Sequence, residues 1–199
     1  MRLAPTLLAL LLAAGPGAAA EGDFVRLRGT IASLAGGVLG VSTREGERAE
    51  VRLLPGFIIA GVEPVPGRRI AVGDYVGIGS LPEPAGPDRA LEVLVFPDGM
   101  EGTGEGSFDW DLVPGSIMTN ARVSKVTQAP DGRLVTLAFA GETKTVRVPP
   151  DVPVVTFVAS DLPDLAPGRR VFVPAMEDAD GGLESDFVAV ETGGTPPPM

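Results

Sequence analysis

Apolar positions in this chain recur at every second residue over short runs, and each run ends in turn-forming residues. An alternating run over residues 24–34 ends in Thr30-Ile31-Ala32-Ser33-Leu34, and Gly36-Gly37 follows it. Residues 38–43 and 49–54 form two more runs, separated by Glu45-Gly46-Glu47. Residues 57–62, 75–78 and 90–96 complete a first set, with Gly73-Asp74 ahead of Tyr75. Period-two runs with turn residues about every eight to twelve positions predict the strands of an all-β barrel or sandwich. The 20 prolines and 27 glycines act against long helices.

The second half repeats this pattern at a constant shift of 95 positions, without a gap. Gly46-Glu47 returns as Gly141-Glu142, Val51-Arg52 as Val146-Arg147, Pro55 as Pro150 and Gly73 as Gly168. Val76 returns as Val171, and Val93 and Val95 as Val188 and Val190. Apolar class is kept from Ile31 to Val126, Ile59 to Val154, Ile70 to Leu165 and Ile78 to Val173. A register held through alternating strands predicts tandem copies at 24–96 and 120–191, joined by a connecting segment at 97–119 and followed by a proline-rich tail at 192–199. Asp161 or Ser160 is placed to cap one helical turn at Leu162-Pro163-Asp164, with Leu165, like Ile70, plugging a barrel. The expected fold is two tandem, small, OB-like Greek-key barrels joined by a packed Gly-rich acidic linker.

Composition narrows the setting. Arg2, the apolar run from Leu7 to Ala14 and Ala18-Ala19-Ala20 have the form of an export signal over 1–20, cleaved before Glu21. A periplasmic or secreted protein is expected. Later apolar runs stay below the roughly 18 residues of a spanning helix. There is no histidine and no cysteine, so neither a histidine base nor a thiol nucleophile is on hand. A formal charge of −10 repels phosphate backbones and anionic lipid surfaces, which makes nucleic acid a poor partner.

Several short motifs resemble a known family. The pattern opens with a strand such as Arg28-Gly29-Thr30-Ile31, Val72-Gly73-Asp74-Tyr75-Val76 gives an apolar-Gly-Asp-x-Val step, and Gly181-Gly182-Leu183 leads to Val188. Each copy is similar to the small β module of bacterial exported proteins known as domain of unknown function 5666. The linker's Met100 with Gly102 to Gly106, Trp110 to Leu112, Pro114 to Ser116 and Met118 to Ala121 resemble a segment between paired modules of this kind. Ser107 and Phe108 stand where such proteins carry a histidine. The resemblance implies the fold and export; it implies no reaction, cofactor or site.

Candidate chemistry concentrates in the linker. Asp98, Glu101, Glu105, Asp109 and Asp111 fall there, and residues 97–121 contain no lysine or arginine. Oxygen ligands suit Ca²⁺, so Glu101, Glu105, Asp109 and Asp111 form an alternative cation site, although their spacing matches no known cation loop. Gly102-x-Gly104-x-Gly106 lacks the strand, helix and lysine of a phosphate loop. Asp178-Ala179-Asp180-Gly181 starts like an EF-hand loop, but Ala189 occupies the position of its bidentate glutamate. Paired carboxylates for a hydrolase could be drawn only arbitrarily from the linker. The expectation is therefore a non-enzymatic binding or interaction protein, its partner an envelope protein or a small ligand. Its site should lie where the linker crosses the barrels, around Glu105, Trp110, Asp111 and Asn120.

Overall fold

The computed structural model describes residues 23–197. The expected export signal at 1–20 lies outside the described residues. The chain is all-β. Its strands are β1 (Phe24–Ala35), β2 (Val38–Thr43), β3 (Arg48–Pro64), β4 (Tyr75–Leu81), β5 (Asp88–Val95), β6 (Gly106–Trp110), β7 (Ser116–Ala129), β8 (Gly132–Phe139), β9 (Glu142–Val148), β10 (Val154–Ala159), β11 (Arg170–Glu177) and β12 (Leu183–Glu191). Single 3-10 turns occur at Pro66–Arg68 and Leu162–Asp164. Asp161 caps the second of these turns only with its backbone position; Ser160 instead donates its hydroxyl to Asp164 Oδ2 at 2.6 Å.

Five strands close into a barrel in the order β1-β2-β3-β12-β11, with β11 returning to β1. Its pairs are antiparallel except β3 with β12, which is parallel. The pairings β4-β5-β9-β8-β7 also return on themselves, again antiparallel except β5 with β9. We call this second circuit the ring. Between them, β10 pairs antiparallel with the far end of β3 and parallel with β5. Val62 lies opposite Phe157, the residue 95 positions further on.

These pairings correct the expectation that 24–96 and 120–191 each close on themselves. The last two strands of each half, β4-β5 and β11-β12, pair with the first three of the other half. The cause is β3. It runs for 17 residues, through Pro55 and a Gly56 at φ 81°. It bulges against β12 between Leu53 and Ile58 and then runs on to pair with β10 from Ala60 to Pro64, farther than one small barrel wall. The chain is carried out of the barrel, and whatever follows β3 is delivered to the ring. In the second half Pro149 and Pro150 interrupt the same path, leaving β9 and β10 as separate strands. Sequence alternation could not distinguish the two closures, because both bury the same strand faces.

Each interior is aliphatic. Ile31, Leu39, Val41, Val51, Val173 and Val188 fill the barrel, and Val76, Ile78, Val93, Val123, Leu137 and Val146 fill the ring. A fully buried residue of this kind is worth roughly 1.5–3 kcal/mol relative to exposure. Leu165 packs inside the barrel and Ile70 inside the ring. Ile70 and Leu165 thus each pack into the circuit that the next two strands, β4-β5 and β11-β12, complete.

A third cluster forms the seam between the circuits, with Val62, Leu94, Phe157 and Phe172 at its centre and Phe96, Met100, Trp110 and Phe187 against it. Here the contacts are aromatic: Tyr75 with Phe96 at 5.3 Å, Phe157 with Phe187 at 5.5 Å, and Trp110 with Phe172 at 6.3 Å between centroids. Tilted and edge-on pairs at such distances add to burial through their quadrupoles. Among the described residues no helix is long and apolar enough to cross a membrane.

Candidate functional site

The connecting segment is more ordered than its glycines suggest. Part of it is strand: β6 pairs with β7 from Gly106 opposite Asn120 to Trp110 opposite Ser116, and β7 itself starts inside the segment. The alternation Phe108-x-Trp110 places both rings on one face of β6. Their centroids are 6.0 Å apart at 70°.

One end of the segment is pinned to the ring. The chain turns twice between Pro97 and Glu105, with Met100 N–H donating to Pro97 O at 3.1 Å and Glu105 N–H to Gly102 O at 3.3 Å. The Thr103 carbonyl then accepts from Tyr75 Oη and from Asn120 Nδ2, each at 3.2 Å. Glu105 Oε1 accepts from Ala140 N–H at 2.9 Å. Ala140 has a φ of 46°, a left-handed conformation unusual for a residue with a Cβ. Glu105 thus stabilises the turn between β8 and β9 from outside it. Burial, with the nearby Glu105 charge, pushes the Tyr75 phenol above its ordinary value.

The other end is pinned to the barrel. The Trp110 ring lies against Phe172 of β11, with the guanidinium of Arg26 4.4 Å from its centroid and that of Arg28 at 5.3 Å. Both arginines come from β1, two residues apart and so on the same strand face. Arg28 also forms an ion pair with Asp111 at 2.8 Å, and Arg44 donates to the Asp111 carbonyl at 2.9 Å. Burial acts to raise the Asp111 pKa, but the hydrogen bond and charge of Arg28, with Arg26 behind it, hold it below the usual carboxylate value. Burial lowers Arg26 against the attraction of Asp111. Ser116, itself buried, closes the turn by donating to the carbonyls of Trp110 at 2.9 Å and Val113 at 2.8 Å.

The four residues expected to form one site therefore fall into two places. Glu105 and Asn120 face the ring, while Trp110 and Asp111 face the barrel. The extended strand between Glu105 and Asp111 spans about 20 Å at 3.3 Å per residue, so no single ion can be shared by both. Of the alternative cation ligands, Glu101 and Glu105 line one open cleft of about 610 Å³ with Tyr75, Arg122 and Glu142. Asp109 is exposed on β6, and Asp111 is held by Arg28. Among the described residues no three His, Cys, Asp or Glu side chains are grouped as a metal would need.

A smaller cavity of about 50 Å³ lies under β6. Its floor is Gly77 of β4, opposite Asn120 of β7; Phe108, Trp110, Leu94, Phe96, Met118 and the buried Glu92 form its walls. A Cβ at Gly79 would come within 2.9 Å of Glu92 Cγ, and one at Gly77 within 2.7 Å of Asn120 Oδ1. The glycines are needed for these side chains to lie flat on the sheet. The cavity is walled mostly by apolar groups and is too small for a sugar or nucleotide.

The sequence reading missed Arg26, Arg28, Tyr75 and Phe172. The i, i+2 arginine pair in β1 was visible as a basic stripe on one strand face, but nothing placed it against the linker. A polar network at the mouth of the ring was also missed. Lys144 forms an ion pair with Asp88 at 2.8 Å and contacts Thr119 Oγ1 at 3.4 Å, and Thr119 lies 3.0 Å from Ser107 Oγ. Comparison of the chain with protein-family models, with curated proteins and with solved structures gives no significant match.

Proposed function

We propose that this chain is a non-enzymatic interaction protein of the bacterial envelope, built from two OB-like modules of the domain-of-unknown-function 5666 type that have exchanged their last two strands. Several features favour the two-module reading. The order β1-β2-β3-β12-β11 with one parallel pair has the form of a five-stranded Greek-key barrel, and β7-β8-β9-β5-β4 repeats it. The placement of Val62 opposite its own counterpart Phe157 is what a pseudo-two-fold between duplicated halves requires. Export follows from the signal-like sequence at 1–20.

One observation carries the functional reading. The linker is fastened to the ring through Thr103 and Glu105 and to the barrel through Trp110 and Asp111, yet its central strand remains exposed. A linker needed only to connect would not be fixed at both ends and displayed between them. Binding elements on a rigid frame avoid an ordering cost when a partner arrives. The carboxylates of Glu45, Asp111, Asp131 and Glu191 are all held below their ordinary values. A hydrolase acid needs the opposite shift, so none of these four is suited to that role.

The test is capture of envelope proteins on the immobilised full chain, against the double variant Trp110→Ala with Asp111→Ala. Loss of a specific partner from the variant, with its circular dichroism unchanged, is expected. Equal capture by a folded variant would remove the site from the linker.

A further inference from the structure

Among the described residues, β6 is the strand with a single neighbour. It pairs with β7 alone, whereas the other eleven pair on two sides through the barrel, the ring or β10. Its outer edge therefore presents backbone N–H and C=O groups with no ladder to join. Ser107, Phe108 and Asp109 are exposed along it, with Phe108 at 37 %. Both ends of the strand are tied down, at Glu105 by Ala140 and at Asp111 by Arg28. The edge is thus open, apolar at one position and fixed in place.

The exposed carboxylate of Asp109 selects the occupant of this edge. Residues 97–121 contain five carboxylates and no lysine or arginine, within a chain of net charge −10. Asp111 is paired with Arg28, while Asp109 projects from the exposed edge itself. We propose that β6 accepts an extended, cationic segment of a partner protein as an added β-strand. The proposal rests on the interaction reading above and names its partner chemistry. Backbone hydrogen bonds supply the affinity, and the two strand faces supply the selection. Residues of the added strand beside Phe108 are apolar, and those on the Asp109 face carry lysine or arginine, because opposite charges on neighbouring strands attract. A second copy of this chain is a poor occupant, since its β6 carries no lysine or arginine to pair with Asp109.

The experiment uses an end-capped eight-residue peptide alternating lysine and valine, titrated into the full chain and followed by hydrogen exchange of the β6 amides. Binding with slowed exchange at Phe108 and Asp109 is expected. Methylating alternate peptide nitrogens keeps every charge but removes donors, and should weaken binding by about tenfold or more. Asp109→Lys should weaken it as well, while a glutamate–valine peptide should not bind. Equal binding of the methylated peptide overturns the proposal, because only charge would then be recognised. Absence of binding also overturns it. A concentration-dependent dimer in sedimentation that Asp109→Asn strengthens overturns it in favour of a second copy. If the peptide fails while envelope capture still depends on Trp110 and Asp111, strand addition falls and the interaction reading stands; if both fail, both fall.

Discussion

The two interiors and the seam between them are built from different side chains. Inside the barrel and the ring, Leu39, Val41, Ile78 and Leu137 are fully covered and aliphatic. In the seam, Phe96, Phe157, Phe172, Phe187 and Trp110 meet ring to ring. The interiors are also nearly interchangeable under the shift of 95, Ile78 matching Val173 and Val93 matching Val188. The seam is not: Phe172 corresponds to Gly77, and Phe187 to Glu92. Alternating aliphatics would close either circuit with either set of last strands. The asymmetric aromatic seam is where this chain acquires a particular shape, including the small cavity on Gly77 and the bed for Trp110.

The strongest way to break this comparison is Phe157→Ala at the centre of the seam. It should cost about 3–5 kcal/mol in urea unfolding, against about 1 kcal/mol for Ile78→Val in the ring interior. Both variants should still unfold in one transition, because each circuit contains strands from both halves. Two separated transitions in Phe157→Ala would mean that the circuits are independent and the seam merely fills space. Next, Trp110→Ala should cost about 2–3 kcal/mol through lost ring burial and its arginine contacts. A loss below about 0.5 kcal/mol would show that the linker lies on the seam without clamping it.

Acid sharpens the comparison from the surface. Glu191, at the end of β12, is held down to about 2 chiefly by its hydrogen bonds to Arg170, against the burial that would raise it. A carboxylate lowered in the folded state contributes stability that is complete above its unfolded value near 4.5 and is lost as pH falls toward 2. Arg170 is half exposed, so screening reduces the effect to about 1 kcal/mol. Asp111, also lowered, adds with the same sign as pH falls below its unfolded value of 3.8. Glu191→Gln should flatten the fall in stability between pH 4.5 and 2, measured by urea midpoints; an unchanged slope would mean the pair is too solvated to matter. The smallest expected effect is with calcium. Trp110 fluorescence should not respond to millimolar calcium, since Glu105 and Asp111 lie at opposite ends of β6; a saturable change would place a cation in the cleft by Glu101.

Much of the strand pattern was legible because alternation is a local property. β2 matches its predicted run, and the plugging roles of Ile70 and Leu165 were readable from their matched positions. What could not be read was partnership. Strands of equal register fit either circuit, and it is the continuation of β3 past its bulge at Pro55 and Gly56 to β10 that separates them. The candidate site was legible to the same degree. Trp110 and Asp111 stood out by type, but their contacts with Arg26, Arg28 and Phe172 come from strands remote in sequence. β6 was hidden by the glycines on either side of it, which read as loop until β7 gives them a ladder.

The exchange of strands also sets an order in time. The barrel joins β1, among the first residues of the fold to leave the ribosome, to β12, among the last. At roughly 5–20 residues per second, β1, β2 and β3 wait on the order of ten seconds for β11 and β12 to exist. The ring waits too, because β4 and β5 need β7, β8 and β9 from the later half. Such non-local closure is intrinsically slow. The ring can close once β9 has been made, whereas the barrel stays open, with β1, β2 and β3 unclosed, until the final strand exists.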